Sequence, residues 1–164
     1  MIKRVLALLG VVVACASAIV SISADIAPPT DVPSRARGAS RIVVARVADV
    51  RARFASNEFG DQLIVSTAVL EVAETLKGAP ASVLEIEFEG GTVGDLTLKV
   101  SDLPSLEPGE RAVFFLDAGR GPAFLPHDRG RGILKLSQGD EVESTSMTLE
   151  NVRQQVRDAV GVGR

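Results

Sequence analysis

The stretch Arg41-Ile42-Val43-Val44-Ala45-Arg46-Val47-Ala48-Asp49-Val50-Arg51-Ala52-Arg53-Phe54 decides the fold class. Read with period two, Ile42, Val44, Ala48, Val50 and Phe54 share one face. The opposite face begins with Val43, Ala45 and Val47, then turns polar at Asp49, Arg51 and Arg53. Apolar residues on both faces mean cover on both sides, whereas strict alternation means cover on one. The pattern predicts a long strand that leaves a fully covered region for a half-exposed one. Arg46 interrupts the inner face, so a bulge, or a position at a barrel rim, is expected there.

Working outward toward the C-terminus, residues 57–61 read as a turn and residues 62–76 as a second long strand. That strand is rich in β-branched residues, among them Ile64, Val65, Thr67, Val69 and Val72. A helix over 69–77 is the alternative reading of its end. Lys77-Gly78-Ala79-Pro80 stops it, because glycine admits positive φ and proline removes a ladder donor. Residues 83–89 set Leu84, Ile86 and Phe88 against Glu85, Glu87 and Glu89, and residues 96–100 set Leu96, Leu98 and Val100 against Thr97 and Lys99. Both read as strands with one core face. Between them, Gly90-Gly91-Thr92-Val93-Gly94 reads as a flexible turn.

Ala112-Val113-Phe114-Phe115-Leu116 is a continuous apolar run and predicts a central, doubly covered strand, introduced by the turn Glu107-Pro108-Gly109-Glu110. Residues 119–132 form a loop with a short extended piece around Phe124, and residues 133–136 are the last strand. The period then changes. Leu149, Val152, Val156, Ala159 and Val160 recur at steps of three and four, which predicts an amphipathic helix over 148–160. Ser146 or Thr148 can cap its start and Gly161 can stop it. Six strands and one helix make a mainly β protein, an antiparallel barrel or sandwich with a C-terminal amphipathic helix.

Toward the N-terminus, residues 25–40 contain Pro28, Pro29 and Pro33 and read as an extended, flexible tether ahead of a single domain over 41–164. Residues 1–24 read as a cleaved signal peptide. Lys3 and Arg4 precede an apolar run, and Ala16/Ala18 or Ile22/Ala24 supply cleavage positions. A membrane anchor is the alternative, but Gly10 and small residues break an apolar run already short of the roughly 20 residues a span prefers. Val12-Val13-Ala14-Cys15 also matches a lipobox, in which Cys15 would carry a lipid anchor. The expected location is therefore secreted or periplasmic, with no stable membrane span after cleavage.

The chain has 164 residues, enough for one domain of ordinary size. Without residues 1–24, its 18 bases fall by Lys3 and Arg4 to 16 against 21 acids, a balance of −5. Such a surface gives no electrostatic reason to bind nucleic acid or a polybasic-patch membrane site. Aromatic residues are 4% of the chain and all are Phe, which leaves few stacking platforms for sugars or bases. Cys15 is the sole cysteine, so after cleavage no thiol remains to oxidise in an oxidising compartment.

Several segments, taken in order, carry a resemblance. They are Ile42-Val43-Val44-Ala45-Arg46-Val47, Leu70-Glu71-Val72-Ala73-Glu74-Thr75-Leu76-Lys77-Gly78, Glu89-Gly90-Gly91, and Leu106-Glu107-Pro108-Gly109-Glu110-Arg111-Ala112-Val113-Phe114-Phe115-Leu116. Their order over residues 41–136 resembles uncharacterised exported bacterial domains similar to the tissue-inhibitor-of-metalloproteinases/netrin-like module. The resemblance implies an OB-like five-stranded barrel with a helix packed against it. It also implies an inhibitor or accessory role toward an exported metalloprotease. Those inhibitors are disulfide-rich and chelate the protease zinc through an N-terminal Cys, whereas Cys15 lies in the leader here.

Reactive constellations are sparse. His127 is the sole histidine, in Pro126-His127-Asp128-Arg129, and no nucleophile motif accompanies it. One His without a Cys in the domain excludes the usual zinc sets. Glu85, Glu87 and Glu89 line one strand face, but calcium wants a curved loop supplying six or more oxygens. Carboxylate-dependent hydrolysis would draw on Glu110, Asp117 and Asp128, and would need two of them to converge in a cleft. The least bland surface feature is the set Arg120, Arg129 and Arg131 near His127, on a rim shared by loops 53–62 and 119–132. The sequence therefore predicts a non-catalytic exported module, without cofactor or metal, whose rim contacts an extracytoplasmic protein or peptide.

Overall fold

The computed structural model describes residues 31–56, 59–119, 121–143 and 145–161. The expected signal peptide and the start of the expected tether lie outside them. In chain order the elements are helix α1 (Val32–Gly38), strands β1 (Arg41–Ser56), β2 (Gln62–Lys77), β3 (Val83–Glu89), β4 (Gly91–Val93), β5 (Leu96–Leu98), β6 (Arg111–Ala118) and β7 (Phe124–Pro126), a 3₁₀ turn (Arg129–Gly132), β8 (Ile133–Leu136) and helix α2 (Leu149–Gly161).

The doubly apolar first half of β1 has a direct cause: it separates two cores. Val43, Ala45 and Val47 pack inward with Leu70, Ile86, Phe114 and Leu116. Ile42 and Val44 pack outward with Val113, Phe115, Leu134 and the helix residues Val32, Ala36, Val152 and Val156. The continuous run in β6 divides in the same way, Ala112, Phe114 and Leu116 to one core and Val113 and Phe115 to the other.

The inner core is enclosed by a closed ring of five strands in the order β1-β2-β3-β7-β6, with β6 returning to β1. Each ring pairing is antiparallel except β3–β7, which is parallel and consists of Ile86 opposite Phe124. β8 extends the sheet beyond β6. This is the OB-like barrel with a C-terminal helix, and its ring contains one parallel pairing among antiparallel ones.

Past the helices, the same face of β1 that carries Ile42 and Val44 carries Arg46. It lies on the outer surface, 2.6 Å from Glu71 of β2, rather than in the inner core. Irregularities in the pairing with β2 flank it, at Ile42/Val43 and Val44/Ala45 before it and at Val47/Asp49 after it, and the last adds a residue to β1. That extra residue reverses the facing of the strand, so that Val50 now packs toward the barrel interior. Residues 69–77, for which a helix was the alternative, are strand.

Three local expectations are corrected. Residues 32–38, read as extended tether, are helix α1. Asp31 caps it by accepting from the Ser34 N–H at 3.0 Å, and Pro33 stands in the first turn, where no donor is needed. Val32 and Ala36, one helical turn apart, are fully buried against α2. The link after β3 is also not merely a turn. Gly91–Val93 pairs with Leu96–Leu98 as a hairpin lying outside the barrel ring, so Leu96 is 62% exposed and not in a core. At the start of that hairpin, Gly91 has φ +126°, and a Cβ there would collide with Ser66 Oγ. Finally, Val160 of the predicted apolar stripe faces outward, 38% exposed, while Leu149, Val152 and Val156 are buried.

The two helices owe their ends to side chains. Thr148 Oγ1 accepts from the Asn151 N–H and Asn151 Oδ1 accepts from the Thr148 N–H, a reciprocal cap at the start of α2. At the end of α1, Lys77 Nζ donates to the carbonyls of Ala36, Arg37 and Ala39.

Candidate functional site

The β1–β2 ribbon extends beyond β6, and its outer face runs toward the loop between β1 and β2. There Arg53, Ala55, Ser56 and Phe59 meet Leu63 and Val65 of β2, Glu87 and Glu89 of β3, and Leu125 of β7 around an open trough of ≈ 590 Å³. Its floor is aliphatic because residues 63 and 65 alternate with the core residues Ile64 and Ser66, which point inward. Phe59 is 82% exposed and Leu125 41% exposed at its margin. Exposed aromatic and aliphatic side chains gathered around one depression are the feature that marks a contact surface rather than a scattered surface residue.

Charged groups frame this trough in fixed pairs. Arg53 donates to Glu87 at 2.8 Å. Arg129 donates to Glu89 at 3.1 Å and to Asp102 at 2.5 Å. The hydrogen bond from Arg129 holds the Asp102 carboxyl below its ordinary value, and Asp102 and Glu89 together raise the Arg129 guanidinium. Arg129 thus ties the segment after β7 to the end of β3 and to the segment after β5. Its backbone sits at φ +56°, beside Asp128 at φ +50°.

The expected rim residues divide among different roles. Arg120 lies outside the described residues. Arg131 reaches Asp128 at 3.5 Å and is largely exposed, near Arg35 of α1, whose guanidinium burial lowers. His127 Nδ1 is 2.8 Å from Asp117 Oδ2, and the other edge of its ring faces Gly38 of α1. A Cβ added at Gly38 would come within 2.7 Å of His127 Nε2. That edge of the imidazole faces α1, so the ring lies between the helix and the Asp117 carboxylate of β6.

The three carboxylates considered for hydrolysis are held by three different partners. Glu110 pairs with Lys135 at 2.6 Å, Asp117 with His127, and Asp128 with Arg131. Glu110 and Asp117 stand at opposite ends of β6, about 23 Å apart at strand spacing. Among the described residues, no group of three His, Cys, Asp or Glu side chains could hold a metal ion, and no helix is long and apolar enough to cross a membrane.

The loop residues that matter most for the trough are apolar, whereas the sequence draws attention to the basic ones, Arg120, Arg129 and Arg131. Phe59 carried a signal: a large aromatic inside the polar turn Ser56-Asn57-Glu58-Phe59-Gly60-Asp61 has no core to enter. Leu63 and Val65 carried none, since the apolar residues on both faces of β2 gave no way to tell inside from outside. No model of a known protein family matches the chain, and no curated protein matches it.

Proposed function

We propose that this protein is a non-catalytic exported module that binds a protein or peptide partner through the trough between the β1–β2 loop and β7. The observation that carries the reading is Phe59, exposed beside Leu125 over the aliphatic floor of Leu63 and Val65. A buried aromatic anchor with aliphatic neighbours and a polar rim is the arrangement from which protein interfaces draw most of their binding energy. Arg53, Glu87, Glu89 and Arg129 would form that rim.

The face formed by β2 and β3 supports a protein rather than a nucleic acid as partner. Glu85, Glu87 and Glu89 stand along it, and a phosphate backbone would be repelled by them. The separation of Glu110 from Asp117 and the place of His127 between Asp117 and α1 support a role without chemistry.

The test compares proteins captured from an extracytoplasmic extract by the wild type, by Phe59→Ser/Leu125→Ser, and by Val160→Ser on the far side of α2. A partner retained by wild type and Val160→Ser but lost by the double variant supports the reading. The same captured set with all three would refute it. Arg53→Ala should weaken capture more at low salt than at high salt if the basic rim contributes.

A further inference from the structure

β1 is sixteen residues long, and β2 accompanies it from Ile42 to Ser56. On its other side β6 accompanies it only from Arg41 to Arg46, and the turn before β6 adds two main-chain bonds to Val47. From Asp49 to Ser56, no strand among the described residues pairs with that second edge. A strand edge of this length presents a row of main-chain N–H and C=O groups, a template for one more strand.

The same edge borders a cleft of ≈ 680 Å³ on the opposite face of the ribbon from the trough. Val50 and Ala52 of β1 form one wall, and Phe88, Val100, Leu103 and Leu106 contribute apolar surface to the rest. Lys99 and Glu107 also line it, as does Glu89, which Arg129 holds. We propose that this edge and cleft together bind an extended peptide segment by strand addition, with alternate apolar side chains entering the cleft. Main-chain bonds to β1 supply the affinity and the cleft supplies the selectivity.

The pattern of β1 specifies the partner's chemistry. On the outer face its open stretch carries Asp49, Arg51 and Arg53, and on the cleft face Val50, Ala52 and Phe54. Arg51 pairs with Asp49 and Arg53 with Glu87 on this exposed face, so a complementary strand alternates acidic residues that share the two arginines with those carboxylates, and apolar residues toward the cleft. Strand β3 carries the same alternation, Leu84, Ile86 and Phe88 with three glutamates, and its Glu87 reaches Arg53 across the intervening β2. A second copy of the chain fits less well. The two antiparallel registers that use most of the edge set Arg51 against Arg53, or Arg53 against itself, and like charges placed opposite are destabilising.

The probe is a synthetic peptide with the alternation of Val83–Glu89, Val-Leu-Glu-Ile-Glu-Phe-Glu, added to the purified protein while main-chain hydrogen exchange is followed. A peptide of the same composition with its acids grouped at one end is the control. The proposal expects slowed exchange confined to residues 49–56, and an affinity reduced roughly tenfold by Arg51→Glu and by Ala52→Pro. Arg51 is 81% exposed, so its reversal leaves the fold intact and carries the test if the proline variant does not fold. Phe59→Ser/Leu125→Ser should leave peptide binding unchanged, which separates this surface from the trough. No slowing at millimolar-order peptide, slowing elsewhere, equal binding of the grouped control, or unchanged affinity of Arg51→Glu would overturn it. So would a dimer that protects the same amides without peptide.

Discussion

Lys77 Nζ stands 2.6 Å from the carbonyl oxygen of Ala39, and from the same position it also donates to the carbonyls of Ala36 and Arg37. A single ammonium at the end of β2 therefore satisfies the carbonyls that close α1. The end of a helix carries partial negative charge and unsatisfied carbonyls, so a cation there acts twice. Lys77 is thus the fastening between the barrel and the short helix that precedes it.

Replacing Lys77 with Met keeps the aliphatic stem and removes all three donors. Lys77→Met is expected to lower stability by about 1–3 kcal/mol, the range for hydrogen bonds to a charged group. Urea unfolding measures the loss. Hydrogen exchange should show α1 opening before the barrel, and uniform loss of protection across the protein would count against this role.

Gly38 and His127 form a second coupled pair. In most helices Gly→Ala is stabilising by up to about 1 kcal/mol. Here the new methyl would strike the imidazole, so Gly38→Ala is expected to destabilise by about 1–3 kcal/mol, the usual cost of overpacking. In a His127→Ala background the same substitution should be neutral or stabilising. A double-mutant cycle by thermal unfolding checks the coupling, and additive effects would show that the two residues do not press on each other.

Gly91 takes a backbone conformation that L residues avoid, and it also lies against Ser66, whose hydroxyl donates to the Gly90 carbonyl at 2.6 Å. Gly91→Ala is expected to cost about 2–4 kcal/mol, combining backbone strain with displacement of a buried side chain. Ser66→Ala leaves the Gly90 carbonyl without that donor and should cost about 1–3 kcal/mol. Chemical denaturation of both variants gives the comparison, with Gly91→Ala expected to be the worse.

Acid should loosen the Arg129 clasp. Asp102 has its carboxyl lowered on folding by the hydrogen bond from Arg129, and Glu150 is likewise lowered by Arg157 and Arg153. A depressed folded value means the folded state holds its proton less tightly than the unfolded chain. The contribution is therefore complete above the ordinary carboxylate range, about pH 4–5, and is lost as pH falls through the folded values. Thermal unfolding followed from pH 6 to pH 3 should show Arg129→Gln losing less stability over that interval than wild type. Parallel curves would mean that the clasp makes no pH-dependent contribution. Both carboxylates are exposed at the surface, so the effect should shrink with added salt.

Much of the barrel was legible because its residues advertise their surroundings. The apolar-on-both-faces stretches at 42–47 and 112–116 announced double cover, and the Leu/Glu alternation of 83–89 announced single cover. The helix at the C-terminus followed from the stripe Leu149, Val152 and Val156. What escaped the reading depended on partners distant in sequence. Residues 32–38 form a helix because α2 buries Val32 and Ala36 and Lys77 donates to the carbonyls of Ala36, Arg37 and Ala39, and neither cause is visible within a stretch containing Pro33. Leu96 was assigned to a core because alternation reports only that two faces differ, and a hairpin lying outside a barrel alternates as well. The candidate trough was half visible. Loops 53–62 and 119–132 do meet there, yet the arginine emphasised in the sequence, Arg129, is committed to Asp102 and Glu89, while the exposed apolar members were passed over.

The meeting of β3 and β7 at Ile86 and Phe124 gives the barrel a preferred line of weakness. Elsewhere around the circumference the wall is stitched along several residues, and at this meridian it is latched by one. Because Ile86 belongs to the inner core, parting this latch would bring water to the barrel lining along one meridian while the longer pairings of β1 with β2 and β6 still hold.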